Sequence, residues 1–334
     1  MTHVLAVRLD NDGDVLLAGP AIRALAAQAD RVTLLCGPRG RQAAQLLPGV
    51  DEVVTWRAPW IDPEPGAFDS ADVLVHVARL AGQAIDRALI FGSFHQSPLP
   101  TALVLRLAHV PWVGAISVDY PGSLLDLRHN VPDDIHEVER NLSLTSAAGF
   151  APPADDRLRV KGARPAVGLP GEYVVVHPGA SVPARAWSPE RNAALVGALA
   201  AAGREVVVTG GPGERELTAR VAGARGIDLG GRTTLAELAG VLAGAAAVVV
   251  GNTGPAHLAA AVGTPVVSLF APTVPPVRWR PWRVPHELLY VDVPCAGCRA
   301  RACPVPGHPC LEGVSVASVS AAVDRLATRK AVPA

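Results

Sequence analysis

Short apolar runs alternate along this chain with helical stretches, and most of the runs end at glycine or at a small polar residue. In the first half they predict a helix from 15 to about 29 and strands at 4–9, 32–35, 53–55, 88–91 and 113–116. In the second half they predict helices from about 189, 214, 235 and 254, a closing helix over 314–328, and strands at 173–177, 205–209, 227–229, 247–251 and 265–269. Because the runs are continuously apolar, we expect strands buried on both faces, as in a parallel sheet.

The stretch 151–171 separates the two halves. It mixes prolines with charged residues and shows no periodic pattern, which is typical of a linker between domains. The predicted fold class is therefore α/β, with two Rossmann-like domains over 1–160 and 161–334 whose parallel sheets face each other across a cleft. Such domains bind ligands at the carboxyl ends of their strands, so the pattern favours an enzyme that handles nucleotides.

The charge balance narrows the classes of partner. Lysine plus arginine and aspartate plus glutamate number 30 each, so the formal net charge is zero and the basic excess of a nucleic-acid-binding protein is missing. The N-terminus enters a strand without the features of a signal peptide, and no apolar stretch approaches the roughly 20 residues of a membrane span. We expect a cytoplasmic protein, with peripheral contact to the inner face of a membrane left open.

The first motif that carries chemistry is LDNDGDV over 9–15, between a predicted strand and a predicted helix. Gly13 permits a tight turn and the close approach of a ligand. The helix dipole stabilises Asp14 as an anion, while Asp10 and Asp12 oppose ionisation by their like charge. Position alone leaves two interpretations equal: Asp14 is a catalytic carboxylate, or it only caps the helix.

Two loops of the second half combine small residues with donors suited to phosphate. The segment HPGASVPARAWSPE over 177–190 leaves a strand and carries Ser181 and Arg185. The segment GNTGPAH over 251–257 ends a strand at Thr253 and Gly254, where free backbone N–H groups suit a pyrophosphate, with His257 close by. Each loop taken singly is better explained by an ordinary structural turn, but the repetition of such loops at equivalent strand ends favours a ligand site.

These motifs resemble those of glycosyltransferase family 9, the ADP-heptose–lipopolysaccharide heptosyltransferases. The resemblance rests on DNDGDV at 10–15, on HPGA with the following RAW, and on NTGPAHLAAAVGTPVV at 252–267. The segment HEVERNL at 136–142 also looks like a family signature. The motifs follow one another in order along nearly the whole chain.

The resemblance implies a GT-B fold and an inverting reaction that needs no catalytic metal. An acceptor hydroxyl attacks the anomeric carbon of a nucleotide-sugar, the nucleoside diphosphate leaves, and Asp14 removes the acceptor proton. The N-terminal domain then binds the acceptor, with Asn11 and Gly13 beside it, and the C-terminal domain binds the donor. The residues implied for the donor and its phosphates are Ser181, Arg185, Asn252, Thr253, Gly254 and His257, and those for the nucleoside are Glu214, Thr233, Thr234 and Leu235.

Two positions depart from the family pattern. Arg185 stands where the family has a phosphate-binding lysine, and Asn252 stands where lipopolysaccharide heptosyltransferases commonly carry an aspartate that contacts the sugar. The positive charge is kept at Arg185, and the negative charge is lost at Asn252. The identity of the transferred sugar, heptose or a relative, is therefore left open, while an ADP-linked donor is still expected. The acceptor is a glycan, a lipid-linked or a small molecule; polar candidates for its site are His95, Gln96, Tyr120 and Arg128.

Four cysteines lie close together near the end of the chain. Cys295, Cys298, Cys303 and Cys310, with His308, are ligand types for a structural zinc ion, although the second half of the pattern is not a standard zinc knuckle. Such cysteines also occur in many family relatives without an assigned role. No cofactor is expected for catalysis itself, and Cys36 at a strand end is expected to be a small core residue.

Two other functions suit the same architecture. A nucleotide-sugar epimerase or hydrolase would turn over the donor without an acceptor and need not depend on Asp14. A non-catalytic nucleotide-sugar-binding protein or zinc-organised interaction module would bind an ADP-sugar and release no ADP. Motifs in both halves favour the transferase over either alternative.

Overall fold

A computed structural model describes residues 1–165 and 168–330 of the chain. The residues form two compact units, Met1–Lys161 and a second unit that begins at Gly162. Each unit contains one six-stranded sheet, and all of the strand pairs are parallel. The predicted α/β class with two Rossmann-like parallel sheets is confirmed.

The first unit alternates strands with helices. Its strands are β1 (His3–Arg8), β2 (Arg31–Cys36), β3 (Glu52–Thr55), β4 (Arg87–Ile90), β5 (Trp112–Ile116) and β6 (Leu127–His129). Its helices are α1 (Asp12–Leu17), α2 (Gly19–Ala26), α3 (Arg41–Leu46), α4 (Ser70–Ala81), α5 (Leu99–Leu107) and α6 (Glu137–Ala147). The strand order in the sheet is β3-β2-β1-β4-β5-β6.

The second unit repeats the alternation. Its strands are β7 (Tyr173–His177), β8 (Glu205–Val208), β9 (Ile227–Asp228), β10 (Ala247–Gly251), β11 (Val266–Leu269) and β12 (His286–Leu289). Its helices are α7 (Pro189–Ala201), α8 (Arg215–Ala222), α9 (Leu235–Gly244), α10 (Gly254–Ala261), α11 (Pro276–Trp279), α12 (Pro309–Glu312) and α13 (Val316–Lys330). The strand order, β12-β11-β10-β7-β8-β9, is equivalent to that of the first unit.

The strand order places a topological switch point in each sheet. In the first sheet the chain changes direction between β1 and β4, and in the second between β7 and β10. Open parallel sheets bind ligands outside the carboxyl ends of the strands at such points. The residues that follow these four strands are therefore the first place to look for a site.

The structure corrects the predicted first helix, which begins at Asp12 rather than at 15 and is interrupted at Ala18. Pro20, near the start of α2, explains the interruption, because proline has no N–H to donate and its ring crowds the preceding turn. The edge strands β6 and β12 escaped prediction because their residues are half-exposed or exposed and form no apolar run. Among the residues that the structure describes, no helix combines the length and apolar character needed to cross a membrane.

The core of the first unit gives a prediction about stability. Leu5, on the central strand β1, is 0% exposed, and Leu5→Ala is expected to lower the free energy of unfolding by about 2–5 kcal/mol because it leaves a cavity. Leu103, on α5, is 48% exposed, so Leu103→Ala should change the stability far less. Urea denaturation followed by circular dichroism measures both. Equal losses for the two variants would contradict the assigned position of β1 at the centre of the core.

Candidate functional site

Two loops meet at the switch point of the first sheet. Asp10 lies in the loop after β1, and Ser93 and Gln96 lie in the loop after β4. The Gln96 side-chain amide donates to Asp10 Oδ1 at 2.5 Å, and Arg8 Nη2 donates to Ser93 Oγ at 2.9 Å. These bonds join the two loops at the place where the fold favours a ligand.

Arg8 is the last residue of β1, and its side chain is completely buried. Its Nε lies 2.9 Å from Asp10 Oδ2, and its Nη2 donates to Asp14 Oδ1 at 3.0 Å. Its Nη1 lies 3.7 Å from Glu137 Oε2. A buried guanidinium is tolerated only when charged partners surround it, and here three carboxylates do so.

The burial of this cluster changes its acid–base properties. Burial by itself lowers the pKa of Arg8, but Asp10, Asp14 and Glu137 outweigh that effect and hold the pKa above its ordinary value. Burial raises the pKa of Asp10 to about 6; the charge of Asp14 adds to the shift, while Arg8 and Gln96 oppose it. Burial also raises the pKa of Asp12 to about 6, against a hydrogen bond from the Ala43 backbone.

Asp14 does not cap helix α1. The N-cap residue is Asn11, which is exposed and makes no side-chain capping bond, and Asp12 Oδ1 accepts from Ala43 N at 3.0 Å. Gly13 is buried in the first turn, and Asp14 follows it with its carboxylate bound to Arg8 and its side chain 22% exposed. Asp14 is therefore both fixed in place and open to solvent, as a residue that meets a ligand must be.

At the switch point of the second sheet, the loop after β7 reaches the end of β10. Gly251 packs against the carbonyl of Arg185 so closely that a Cβ would lie 2.6 Å from that oxygen. The Arg185 side chain is half-buried and Ser181 is exposed. The two loops that the sequence predicted to hold phosphate are thus adjacent in the fold.

Helix α10 begins at this same point. Thr253 is its N-cap residue and makes no capping bond with its side chain. Its Oγ1 atom is enclosed, with no hydrogen-bond partner among the described residues. Gly254 is half-buried in the first turn, and His257 lies one turn along the helix and is 5% exposed. An enclosed hydroxyl without a partner from the described part of the chain therefore lies at the start of the helix.

Asn252 is placed differently from the residues around it. It is 6% exposed, and its amide forms two bonds with the backbone of Ala271: Nδ2 donates to the carbonyl oxygen at 3.3 Å, and Oδ1 accepts from the N–H at 3.2 Å. Ala271 follows β11 by two residues. The geometry favours a role for Asn252 in holding the turn after β10 to the neighbouring strand.

Glu214 also belongs to this edge of the second sheet. It accepts from Gly211 N at 2.7 Å, and a Cβ at Gly179 would overlap with its carboxylate. His177 Nε2 lies 3.9 Å from Glu214 Oε2, and Thr209 Oγ1 lies 3.0 Å from His177 Nδ1. Burial lowers the pKa of His177, against the charge of Glu214, which favours a neutral imidazole at this site.

The three residues predicted to hold the nucleobase lie at the start of α9. Thr234 is the N-cap, its Oγ1 accepts from Glu237 N at 3.3 Å, and the Glu237 carboxylate accepts from the Thr234 N–H at 2.8 Å. Thr233 and Leu235 are half-buried on either side. The Thr234 hydroxyl is thus engaged in capping α9, while Thr233 and Leu235 are partly open to solvent beside it.

Of the four polar residues suggested for the acceptor, Gln96 bonds to the aspartate loop, through Asp10. His95 is exposed, Tyr120 is 84% exposed, and Arg128 donates to the carbonyls of its own neighbourhood. Sequence reasoning missed Arg8, Ser93 and Glu137. A charged residue inside an apolar strand was the available signal for Arg8, because such a residue must find buried partners.

The cysteine cluster lines one cavity. Within the ranges described, no group of three or more His, Cys, Asp or Glu side chains has the arrangement needed to hold a metal ion, so the predicted zinc site is not preformed. Cys36, as expected, is buried in the core. The polar and thiol-bearing residues that line this cavity include Thr273, Cys295, Cys298, Cys303, His308 and Cys310.

Comparison with known proteins identifies a matching family and several similar proteins. The model of glycosyltransferase family 9 (heptosyltransferase) matches residues 76–308. Lipopolysaccharide heptosyltransferase 3 of Escherichia coli K12 is 33% identical over 162 residues, which cover 44% of this chain and 47% of that protein. The chain spans about half the length of the curated relatives it matches.

Solved structures share the fold of nearly the whole chain. A glycosyltransferase of family 9 from Veillonella parvula DSM 2008 superposes with a TM-score of 0.81 at 17% identity, over 98% of both chains. An Escherichia coli heptosyltransferase with ADP-2-deoxy-2-fluoro heptose superposes with a TM-score of 0.74 at 22% identity, over 97% of this chain and 99% of that one. These likenesses identify the fold as GT-B, as predicted. With its family match over residues 76–308, the chain belongs to glycosyltransferase family 9, the heptosyltransferase family.

Proposed function

We propose that this chain transfers a sugar, heptose or a relative of it, from an ADP-linked donor to a hydroxyl group of an acceptor glycan, lipid-linked or small molecule. The observation that carries the proposal is Asp14, a partly exposed carboxylate fixed by Arg8 at a switch point of the fold. Family membership supports glycosyl transfer, and the ADP-sugar of the structurally similar Escherichia coli enzyme supports the donor. The names of the relatives support an acceptor of the lipopolysaccharide type.

The proposed chemistry is a single displacement with inversion. The acceptor oxygen attacks the anomeric carbon, the bond from that carbon to the diphosphate oxygen breaks, and the diphosphate leaves with the bonding electrons. Asp14 takes the proton of the attacking hydroxyl, which requires hydrogen-bond distance between them. The proposal assigns the acceptor to the first domain (1–160), where Asn11 and Gly13 adjoin Asp14.

The donor is assigned to the second domain (161–334). Arg185 and Ser181 supply a cation and a hydroxyl for the phosphates, and the α10 N-terminus supplies backbone N–H groups at Gly254. The enclosed Thr253 hydroxyl supports this assignment. His257 supports the turn from inside the helix, Asn252 fixes it to Ala271, and Glu214, Thr233, Thr234 and Leu235 are assigned to the nucleoside.

The same observations support a reaction without a catalytic metal. The leaving diphosphate needs compensation of its negative charge, and Arg185 with the helix N-terminus can provide it. The aspartates of the first domain are engaged by protein donors, Asp10 and Asp14 by Arg8 and Asp12 by the Ala43 N–H. We propose a cytoplasmic location, with peripheral membrane contact where the acceptor is lipid-linked.

Replacing Asp14 tests the base. Asp14→Asn should lower kcat by about 10²- to 10⁴-fold, because the amide cannot accept the proton, while ADP affinity stays unchanged. Release of ADP from ADP-heptose, with heptose-free lipopolysaccharide as the acceptor, measures the rate. Asp12→Asn is the matched control, since Asp12 lies in the same helical turn and accepts a hydrogen bond from the Ala43 backbone, and it should keep most of the activity. Similar activity in wild type and Asp14→Asn would contradict the proposal and favour the epimerase or hydrolase.

The donor site predicts a nucleotide preference. ADP and ADP-sugars should raise the melting temperature, and Arg185→Gln should weaken ADP binding about 10-fold or more by removing a charge-assisted contact with phosphate. Isothermal titration calorimetry compares it with Arg220→Gln, an arginine of the same domain that pairs with Glu190 at the surface. If Arg185→Gln and Arg220→Gln bind ADP with equal affinity, Arg185 is not part of the donor site. Tight binding of an ADP-sugar without transfer would favour a non-catalytic binding protein.

A structural zinc ion at Cys295, Cys298, Cys303 and Cys310 stays a prediction. Their shared cavity supports it, but binding requires the exposed thiols of Cys295 and Cys298 to close on the buried Cys310. Elemental analysis should then find one zinc per chain in wild type and in Cys36→Ser, and loss of zinc with a lower melting temperature in Cys298→Ser. The prediction would be contradicted by protein that contains no zinc and whose melting temperature does not change when zinc is added.

A further inference from the structure

We propose that Arg8 is a positioning residue for the transfer reaction, and that Glu137 holds Arg8 in place from helix α6. The guanidinium fixes the Asp14 carboxylate in the orientation from which it takes the acceptor proton. This inference rests on the proposed function, because it assumes that Asp14 is the base. The segment HEVERNL at 136–142 has no assigned part in binding the donor or the acceptor. The inference gives it a part in positioning the base.

The first step of the argument is the geometry of the guanidinium. Arg8 Nη2 donates to both Asp14 Oδ1, at 3.0 Å, and Ser93 Oγ, at 2.9 Å, while Nε faces Asp10 at 2.9 Å. A guanidinium is planar and presents its donors in fixed directions. Because Nη2 bonds to Ser93 and Asp14 at once, and the ion pair of Nε with Asp10 holds the group at the end of β1, the position of Nη2 fixes the position of the Asp14 carboxylate.

The second step concerns Glu137, which is 0% exposed and approaches the remaining nitrogen, Nη1, at 3.7 Å. Asp10 and Asp14 attract the guanidinium at Nε and Nη2. Glu137 adds a third carboxylate, from α6, at the nitrogen that those two do not contact, and so helps to hold the cation at the end of β1. A buried glutamate is costly without a charged partner, and Arg8 is the partner that its position provides.

The third step is the attachment of α6, which must itself be rigid for Glu137 to act. His136 Nδ1 accepts from Val138 N at 3.1 Å, and Glu139 accepts from His136 N at 3.1 Å, which forms a capping box around Glu137. Further along the helix, Asn141 Nδ2 donates to the carbonyl of Leu17, the last residue of α1, at 3.3 Å. The segment thus fixes Glu137 and connects its helix to the one that bears Asp14.

Arg8→Lys tests the inference, because lysine keeps the charge but presents a point-like ammonium without the planar donor geometry that joins Ser93 and Asp14. We expect kcat for transfer from ADP-heptose to heptose-free lipopolysaccharide to fall about 100-fold. The KM for ADP-heptose should stay within about 3-fold, since the donor is assigned to the other domain. A crystal structure of the variant should show the Asp14 carboxylate in a changed orientation.

Two further variants serve as comparisons. Arg106→Lys is the matched control in the same unit, where Arg106 bonds to Asp126 and to three backbone carbonyls, and its kcat should stay within 2-fold of wild type. Glu137→Gln keeps the shape and an acceptor oxygen for Arg8 and removes only the charge. Its kcat should lie between those of Arg8→Lys and wild type.

The outcomes separate the inference from the function on which it rests. If Asp14→Asn is inactive while Arg8→Lys keeps more than half of the wild-type kcat, the inference is overturned and the proposed function stands. If Asp14→Asn stays active, the proposed function fails. A crystal structure of Arg8→Lys in which Asp14 keeps its orientation overturns the inference whatever the turnover. An equal loss of kcat in Arg106→Lys would assign the effect to general destabilisation and also overturn it.

Discussion

An arginine at the end of a fully buried strand imposes a condition on everything around it. Arg8 has lost its hydration, so the fold must supply charged and hydrogen-bonding partners around the guanidinium. The partners come from the loop after β1, from α1, from the loop after β4 and from α6. Residues 10–14, the loop after β4 and helix α6, which are far apart in sequence, are thereby brought to one point. That point lies at the switch point of the sheet, where open parallel sheets commonly bind ligands.

The two units have the same strand order but carry opposite charges at their switch points. At the first switch point the fold concentrates carboxylates around one cation, which suits the uptake of a proton from a neutral hydroxyl. At the second it places a helix N-terminus, a threonine hydroxyl and an arginine loop, which suits a diphosphate that gains negative charge as it leaves. Neither arrangement follows from the sheet alone, because both are built from the loops at its carboxyl edge.

Continuous apolar runs predicted the central strands well, because a parallel sheet buries both faces of its inner strands. Edge strands such as β6 have one side open to solvent, and a sequence without such a run gives no signal for them. The aspartate loop was found from its position after a strand. The cluster that holds Asp14 was not, because Glu137 and Arg8 are 129 positions apart in the chain and only the folded sheet brings them together.

Asn252 shows how contacts with a neighbouring backbone can determine which residue type suits a position. Ala271 presents both its N–H and its carbonyl to the side chain at 252, so the residue there must accept one hydrogen bond and donate another. An amide does both, whereas the aspartate that the family pattern places here can only accept when it is ionised. A carboxylate at this position would leave the Ala271 carbonyl without its donor and would be drawn to other partners. The loss of charge at 252 is therefore matched by the local backbone, and under the proposed function we assign recognition of the sugar to residues other than the one that the family pattern suggests.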